Sequence, residues 1–438
     1  MVGCSSSSSG CFSFAFIGFA SFFFLYFFCM ALFPVTGFGP LISSTTHAAT
    51  RPFLRLLRSK AQRFSSGRSM MNDGGHQESG CREFEFQSVD GIFIRGKSWG
   101  AETGKPILAL HGWMDNAASF SAMAPVLSGE GFHIVAIDHP GHGKSDHHSI
   151  DAMYSVLDYP FYAIEAAKHF GWKKYALIGH SLGAGISIMV ASTQPTKVAG
   201  LVLLEGLGPL SGGEGLAAAH LARGLQARAL FTKKYKYKKE RKVYESFDEA
   251  VNARLATIDK LPGEQFLSRE AAEIMVQRAV IPVPSVSSAA PAKKEEGGVP
   301  FRGSDVAAAK GAAVEEGVMF THDPRLNQPS LGYLSEPQCL SFLSALRCPT
   351  LLVRGTRGWP YNPESVEKRE RVIRETLKGS DAIFEKVEIM DAGHHLHLDP
   401  GTSCQAASTV VSFLQRCVPL AAVEGSREER KVAGFSKL

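Results

Sequence analysis

A chain of 438 residues, 45% apolar and 20% charged, has the composition of a folded protein that can bury one large core or two modest ones. Residues 1–72 carry six cations (Arg51, Arg55, Arg58, Lys60, Arg63 and Arg68) and no Asp or Glu; subtracting those six from the formal +5 leaves −1 for everything from Asp73 on. That balance excludes a nucleic-acid-binding body, and eight cysteines without C-x-x-C spacing argue against a structural metal or a disulfide-built fold.

In chain order, the stretch Phe12–Phe33 is apolar throughout and just long enough to span a bilayer, so residues 12–33 read as a membrane-associating segment. Thr36–Met71, rich in Ser, Thr and Arg, reads as a transit segment for a plastid or mitochondrion. Residues 1–72 are therefore expected to be a leader, and a start at Met30, Met70 or Met71 would remove part or all of it. Starting at Met70 or Met71 would leave the product cytoplasmic.

Beyond Gly80 short strands and helices alternate. Arg82–Ser88 and Ile92–Trp99 read as a hairpin turning at Asp90-Gly91. Continuous apolar runs follow at Pro106–Leu110, Phe132–Ile137, Tyr175–Ile178, Ala199–Leu204, Cys348–Val353 and Phe384–Met390, as expected of strands covered on both faces. Helical patterns separate them at Ala117–Leu127, Asp151–Phe170, Leu182–Ser192, Pro363–Leu377 and Ser403–Arg416. The predicted fold class is α/β, a mostly parallel sheet flanked by helices.

The alternation breaks between Gly208 and Leu346, which predicts an inserted helical cap. Within it, Leu216–Phe247 and Leu267–Val280 are expected to be helical and to cover the site. The Lys/Tyr run at Phe231–Phe247 reads as a solvated helix face. Ile281–Gly317 is too poor in large apolar side chains to fill a core and is expected to be a disordered loop. The division is thus 82–207 and 347–418 for the two parts of the core, 208–346 for the cap, and 419–438 for a flexible tail.

Chemistry concentrates at strand ends. Gly179-His180-Ser181-Leu182-Gly183 joins an apolar strand to a small-residue helix, the sequence form of a turn that lifts a Ser hydroxyl clear of a sheet. Ser181 is then the candidate nucleophile. Such a serine needs a base, an acid to orient it, and donors for the oxyanion. Gly393-His394 follows the last strand, making His394 the candidate base. His395 and His397 are expected to pack or bond locally, and the i, i+1, i+3 spacing with no acid nearby disfavours a metal. After Leu110, His111-Gly112-Trp113 supplies one oxyanion donor, the Trp113 N–H. The Leu182 N–H at a helix start supplies the other.

His111-Gly112-Trp113, Asp138-His139-Pro140-Gly141-His142-Gly143-Lys144-Ser145, Gly179–Gly183 and Gly393-His394, in this order, resemble the α/β-hydrolase fold family. Within it "LHGWMDNAASF", "LIGHSLGAG" and "MDAGHHLHLDP" are most similar to the serine hydrolase-like proteins, relatives of the epoxide hydrolase and dehalogenase branch. The resemblance spans about Phe84–Leu414 apart from the cap. It implies a capped-pocket hydrolase with a Ser-His-acid triad. Much of the fold places the acid after the penultimate strand, but Gly358 stands there and the first carboxylate is Glu364. The other place, after the sixth strand, holds Glu205, and Glu205 is the expected acid because a carboxylate closing an apolar run needs a buried partner.

These readings point to a serine-dependent hydrolase of an ester or related acyl substrate, a small molecule, with no cofactor and no metal. Epoxide hydrolases and haloalkane dehalogenases of the fold use Asp at the elbow, so Ser181 argues against both. Carbon–carbon bond hydrolysis, thioesterase action or cofactor-free haloperoxidase chemistry would use the same residues. A non-catalytic binding module would be expected to lack a member of the set.

Overall fold

The computed structural model describes residues 80–213, 215–237, 241–263, 265–284 and 316–418, all within the compact unit Ser79–Leu438. The leader, the tail 419–438 and residues 285–315 of the expected loop lie outside them. Among the described residues no helix is long and apolar enough to cross a membrane.

Strands β1 (Cys81–Gln87) and β2 (Phe93–Trp99) form the expected antiparallel hairpin, with Gly91 at φ 92° in its turn. Then come β3 (Lys105–Leu110), α1 (Ala124–Gly129), β4 (Phe132–Ile137), α2 (Tyr159–His169), β5 (Tyr175–His180), α3 (Leu182–Thr193) and β6 (Val198–Leu204). The insertion holds α4 (Ala217–Tyr237), α5 (Phe247–Ile258), α6 (Arg269–Ala279), β7 (Val280–Pro284), β8 (Glu316–Phe320) and α7 (Glu336–Ser344). Strand β9 (Thr350–Gly355), α8 (Pro363–Leu377), β10 (Phe384–Ile389) and α9 (Pro400–Cys417) complete the chain.

Eight strands make one sheet in the order β1-β2-β4-β3-β5-β6-β9-β10. Strand β2 runs antiparallel to β1 and β4, and every other neighbouring pair is parallel. The period-2 alternation sends Leu108, Leu110, Leu177 and Leu203 into one apolar layer and Ile107, Ala109, Ile178 and Val202 into the other. Burying both faces is why the central strands read as unbroken apolar runs. Parallel strands also place their carboxyl ends along one edge, where loops can gather side chains from distant parts of the chain.

Several expected elements differ. The helix at Asp151–Phe170 begins only at Tyr159, with Pro160 in its first turn, where a missing N–H costs no intrahelical bond. The pattern at Ala117–Leu127 divides into a 3-10 turn capped by Asn116 and the separate helix α1, which also carries a proline in its first turn. In the cap, Leu216–Phe247 is not one helix: α4 ends at Tyr237, and Ser246 caps the start of α5. The expected disordered loop is wrong at both ends. Residues 281–284 and 316–317 lie in β7 and β8, which pair antiparallel from Val280 opposite Phe320 to Pro284 opposite Glu316. Two prolines in "VIPVP" masked the strand, yet a two-stranded ribbon has outward edges that tolerate a missing N–H.

Candidate active site

Ser181 ends β5 and begins α3 with φ 52° and ψ −112°, a backbone that side chains rarely adopt. The flanking glycines make this possible. A Cβ on Gly183 would lie 2.5 Å from the carbonyl carbon of Leu110 and 2.8 Å from the oxygen of His111; one on Gly179 would lie 2.5 Å from Ser187 Oγ. The start of α3 is therefore pressed against the end of β3. The first turn of this helix, whose leading N–H groups have no intrahelical partner, thus lies against the strand end from which the His111–Trp113 turn departs. Ser181 and Leu182 are half-buried, as is Trp113. Met114, at φ 62°, turns the chain just past Trp113.

Glu205 closes β6 with a left-handed φ of 52° and no exposed surface. Its backbone N–H donates to Val353 O at 2.9 Å, and the Ser181 N–H donates to Leu204 O at 2.9 Å, so Ser181 and Glu205 sit on adjacent strand ends. The Glu205 carboxylate accepts from the N–H of Gly355 at 2.6 Å and of Trp359 at 2.8 Å. Its Oε2 lies 3.3 Å from Nδ1 of His394. A Cβ on Gly358 would lie 2.5 Å from the carboxylate carbon of Glu205. The carboxylate thus fills the volume that a side chain at 358, after the penultimate strand, would occupy. Glu364 lies exposed in the first turn of α8, away from this pair.

His394 follows β10 and is 6% exposed. Burial lowers its pKa below that of a free imidazole, partly offset by the hydrogen bond from Nδ1 to Glu205. The ring is therefore neutral at neutral pH, and with Nδ1 donating, Nε2 is its basic nitrogen. Burial alone would raise the Glu205 pKa, but the hydrogen bond from His394, with the two backbone N–H donors, outweighs it and holds the carboxyl below its usual range. A permanently ionised acid behind a neutral base is the state that proton abstraction from a serine requires.

The residue before Ser181 joins the base to the elbow. His180 Nε2 donates to the carbonyl of His394 at 2.9 Å, and the two rings stand 4.7 Å apart. Nδ1 of His180 is 3.2 Å from Asp115, whose carboxylate also meets Arg254 at 2.7 Å and His395 Nε2 at 3.4 Å. His395 bonds across the fold to Asp115 rather than locally. Its pKa falls to about 4 through burial, with Asp115 opposing. His397 is fully buried, its ring 5.2 Å from that of Phe120 and 4.3 Å from that of His180. Among the described residues, Asp115, His180 and His395 bring three donor atoms within 4.8 Å of one another. Arg254 already supplies that carboxylate with a cation. Asp115, His180 and Arg254 escaped sequence reasoning. Asp115 and His180 stand inside quoted motifs, but Arg254 carries no local signal.

A family profile described as alpha/beta hydrolase fold matches residues 105–400. A serine hydrolase-like protein of Dictyostelium discoideum is 29% identical over 75% of this chain and 80% of its own length. A serine hydrolase-like protein of Danio rerio is 28% identical over 74% and 85% respectively. The crystal structure of a hypothetical protein from Pseudomonas aeruginosa PAO1 shares 32% identity and a TM-score of 0.58, covering 76% of this chain and 99% of that one.

Proposed function

The chain belongs to the alpha/beta hydrolase fold family, and from that membership we propose a serine-dependent hydrolase that cleaves an ester or related acyl bond through an acyl-enzyme. The observation that carries this reading is the buried Glu205–His394 pair, 3.3 Å apart at Nδ1, beside a serine held at φ 52°.

In this mechanism His394 Nε2 takes the Ser181 hydroxyl proton as Oγ attacks the substrate carbonyl carbon. Glu205 holds the ring's other nitrogen and stabilises the imidazolium that forms. The N–H groups of Trp113 and Leu182 receive the developing oxyanion. The tetrahedral species collapses, breaking the bond to the leaving group, which takes the proton from His394. Water, deprotonated by His394, then attacks the acyl-enzyme, and Ser181 recovers its proton as the acid product leaves. No cofactor enters any step. A thioester would pass through the same steps with a thiol as leaving group.

The test is labelling by a fluorophosphonate, followed by turnover on p-nitrophenyl esters and thioesters of graded acyl length. Wild-type protein should label at one site, and Ser181→Ala should neither label nor turn over. Full turnover by Ser181→Ala would refute the assignment.

A further inference from the structure

The base of this site is gripped by the inserted cap. Two contacts hold the backbone of His394, and both trace to cap residues. Its N–H donates to Oε1 of Gln265 at 3.2 Å. Its carbonyl accepts from His180, which leads through Asp115 to Arg254 on α5 with steps of 2.9, 3.2 and 2.7 Å. Asp115 and His180 are buried, and Arg254 is mostly so. Gln265 also reaches the acid's side, since its Nε2 donates to the carbonyl of Gly358 at 2.8 Å. The next residue, Trp359, gives its N–H to the Glu205 carboxylate. One amide side chain therefore ties the loop that carries the base to the loop that holds the acid.

The chain is shaped for this seat. A Cβ on Gly393 would lie 2.9 Å from the Phe266 ring and 3.3 Å from its carbonyl oxygen, so only glycine lets the cap segment 265–266 press directly on the base loop. Arg357, from the loop after β9, stacks over the Phe266 ring of that segment at 4.7 Å. Just beyond the base, Leu398 is buried in the apolar cluster of α5 and α6, and Asp399 accepts from the N–H of Ser268 at 2.8 Å. The base loop thus packs against the cap as well as against the sheet.

We infer that the cap positions the base: Gln265 and, through Asp115 and His180, Arg254 act as positioning residues that hold His394 in register with Glu205 and Ser181. The inference rests on the hydrolase reading for its kinetic consequence, but not for its structural one. The cap's seat and the base's alignment become one property, so a change in the cap alters kcat without any contact to substrate.

The experiment pairs hydrogen exchange with kinetics on the full chain carrying Gln265→Ala, Arg254→Met and the conservative Arg254→Lys. Peptides spanning Asp391–His397 should exchange at least about tenfold faster in Gln265→Ala and Arg254→Met, with peptides from β4 and α2 unchanged. Losing one hydrogen bond that positions a reacting group corresponds to about a tenfold fall in kcat. KM should stay within about twofold, and Arg254→Lys should recover most of kcat. Unchanged exchange at 391–397 overturns the inference, and so does a loosening spread evenly over the whole fold. Unaltered kcat in both variants of an enzyme that turns over esters overturns it too. If wild-type protein cleaves no ester, the hydrolase reading fails, and the exchange comparison alone decides the cap's role.

Discussion

Replacing Gly358 by alanine tests how tightly the acid is held. The new Cβ would stand 2.5 Å from the Glu205 carboxylate carbon. Two carbons settle at about 3.5–4.0 Å, so the carboxylate must retreat by roughly 1 Å. The end of a glutamate would ordinarily swing aside at little cost, but this one is held by Gly355, Trp359 and His394 at 2.6, 2.8 and 3.3 Å. A retreat of that size carries the longest of these past bonding range. A misplacement of about 1 Å in a catalytic group costs on the order of a hundredfold in rate, about 2.7 kcal/mol. That agrees with the roughly 1.5–3 kcal/mol carried by a hydrogen bond to a charged group. Gly358 does not have a left-handed φ, so no backbone strain is added and the variant reads sterics alone.

The assay is kcat/KM on a p-nitrophenyl ester with melting temperature as control, and the expected result is a loss of about a hundredfold in a folded protein. A companion variant moves the acid. Glu205→Gly accepts the φ of 52° at that position and empties the volume, and Gly358→Asp then returns a carboxylate to it from the neighbouring strand end. The double variant should exceed Glu205→Gly alone by at least about tenfold. Full activity in Gly358→Ala would show that the carboxylate is not fixed where rate depends on it, and the assignment of Glu205 would fall.

Glu205→Gln should lower kcat by about a hundredfold or more, with Glu364→Gln unchanged; the reverse pattern would move the acid to Glu364. The acid limb of wild-type kcat/KM should lie below pH 6.5, because burial depresses His394. Glu205→Gln removes the group that favours the imidazolium, so its limb should move to still lower pH, and a shift upward would contradict the pairing. Stability should fall as pH drops from about 6.5 towards 4, because His395 is lowered to about 4 while the unfolded chain takes protons near 6.5. At pH 5 His395 contributes about 2 kcal/mol of that loss, so urea unfolding at pH 7.5 and pH 5 should differ clearly, and equal midpoints would refute its neutral burial.

What could be read ahead of the structure follows a physical division. Buried parallel strands announce themselves as apolar runs, and glycines forced by close approach, as at Gly183 and Gly393, announce the turns where chemistry sits. The turns that carry Ser181 and His394 were legible for that reason. Side chains that act by reaching across the fold leave no such trace. Gln265 and Arg254 lie in a stretch whose helices have weak patterns, and nothing within a few residues of either marks a partner more than a hundred positions away. The ribbon of β7 and β8 was hidden by its own prolines, since its strands stabilise each other only once the intervening chain has returned.

The proposed acid, Glu205, stands where two neighbouring strand ends converge. Strands β6 and β9 are parallel neighbours, paired from Leu201 opposite Thr350 to Leu204 opposite Val353, so their carboxyl ends finish side by side. A carboxylate leaving either end can reach the same imidazole, and what must stay fixed is the small volume beside His394 Nδ1. Only one side chain can occupy it. With Glu205 present, position 358 has to be glycine, because its Cβ and the carboxylate compete for the same space. Gly358 is therefore the steric complement of the glutamate proposed as the acid. The two positions should be read as a pair: a carboxylate at one predicts a small residue at the other.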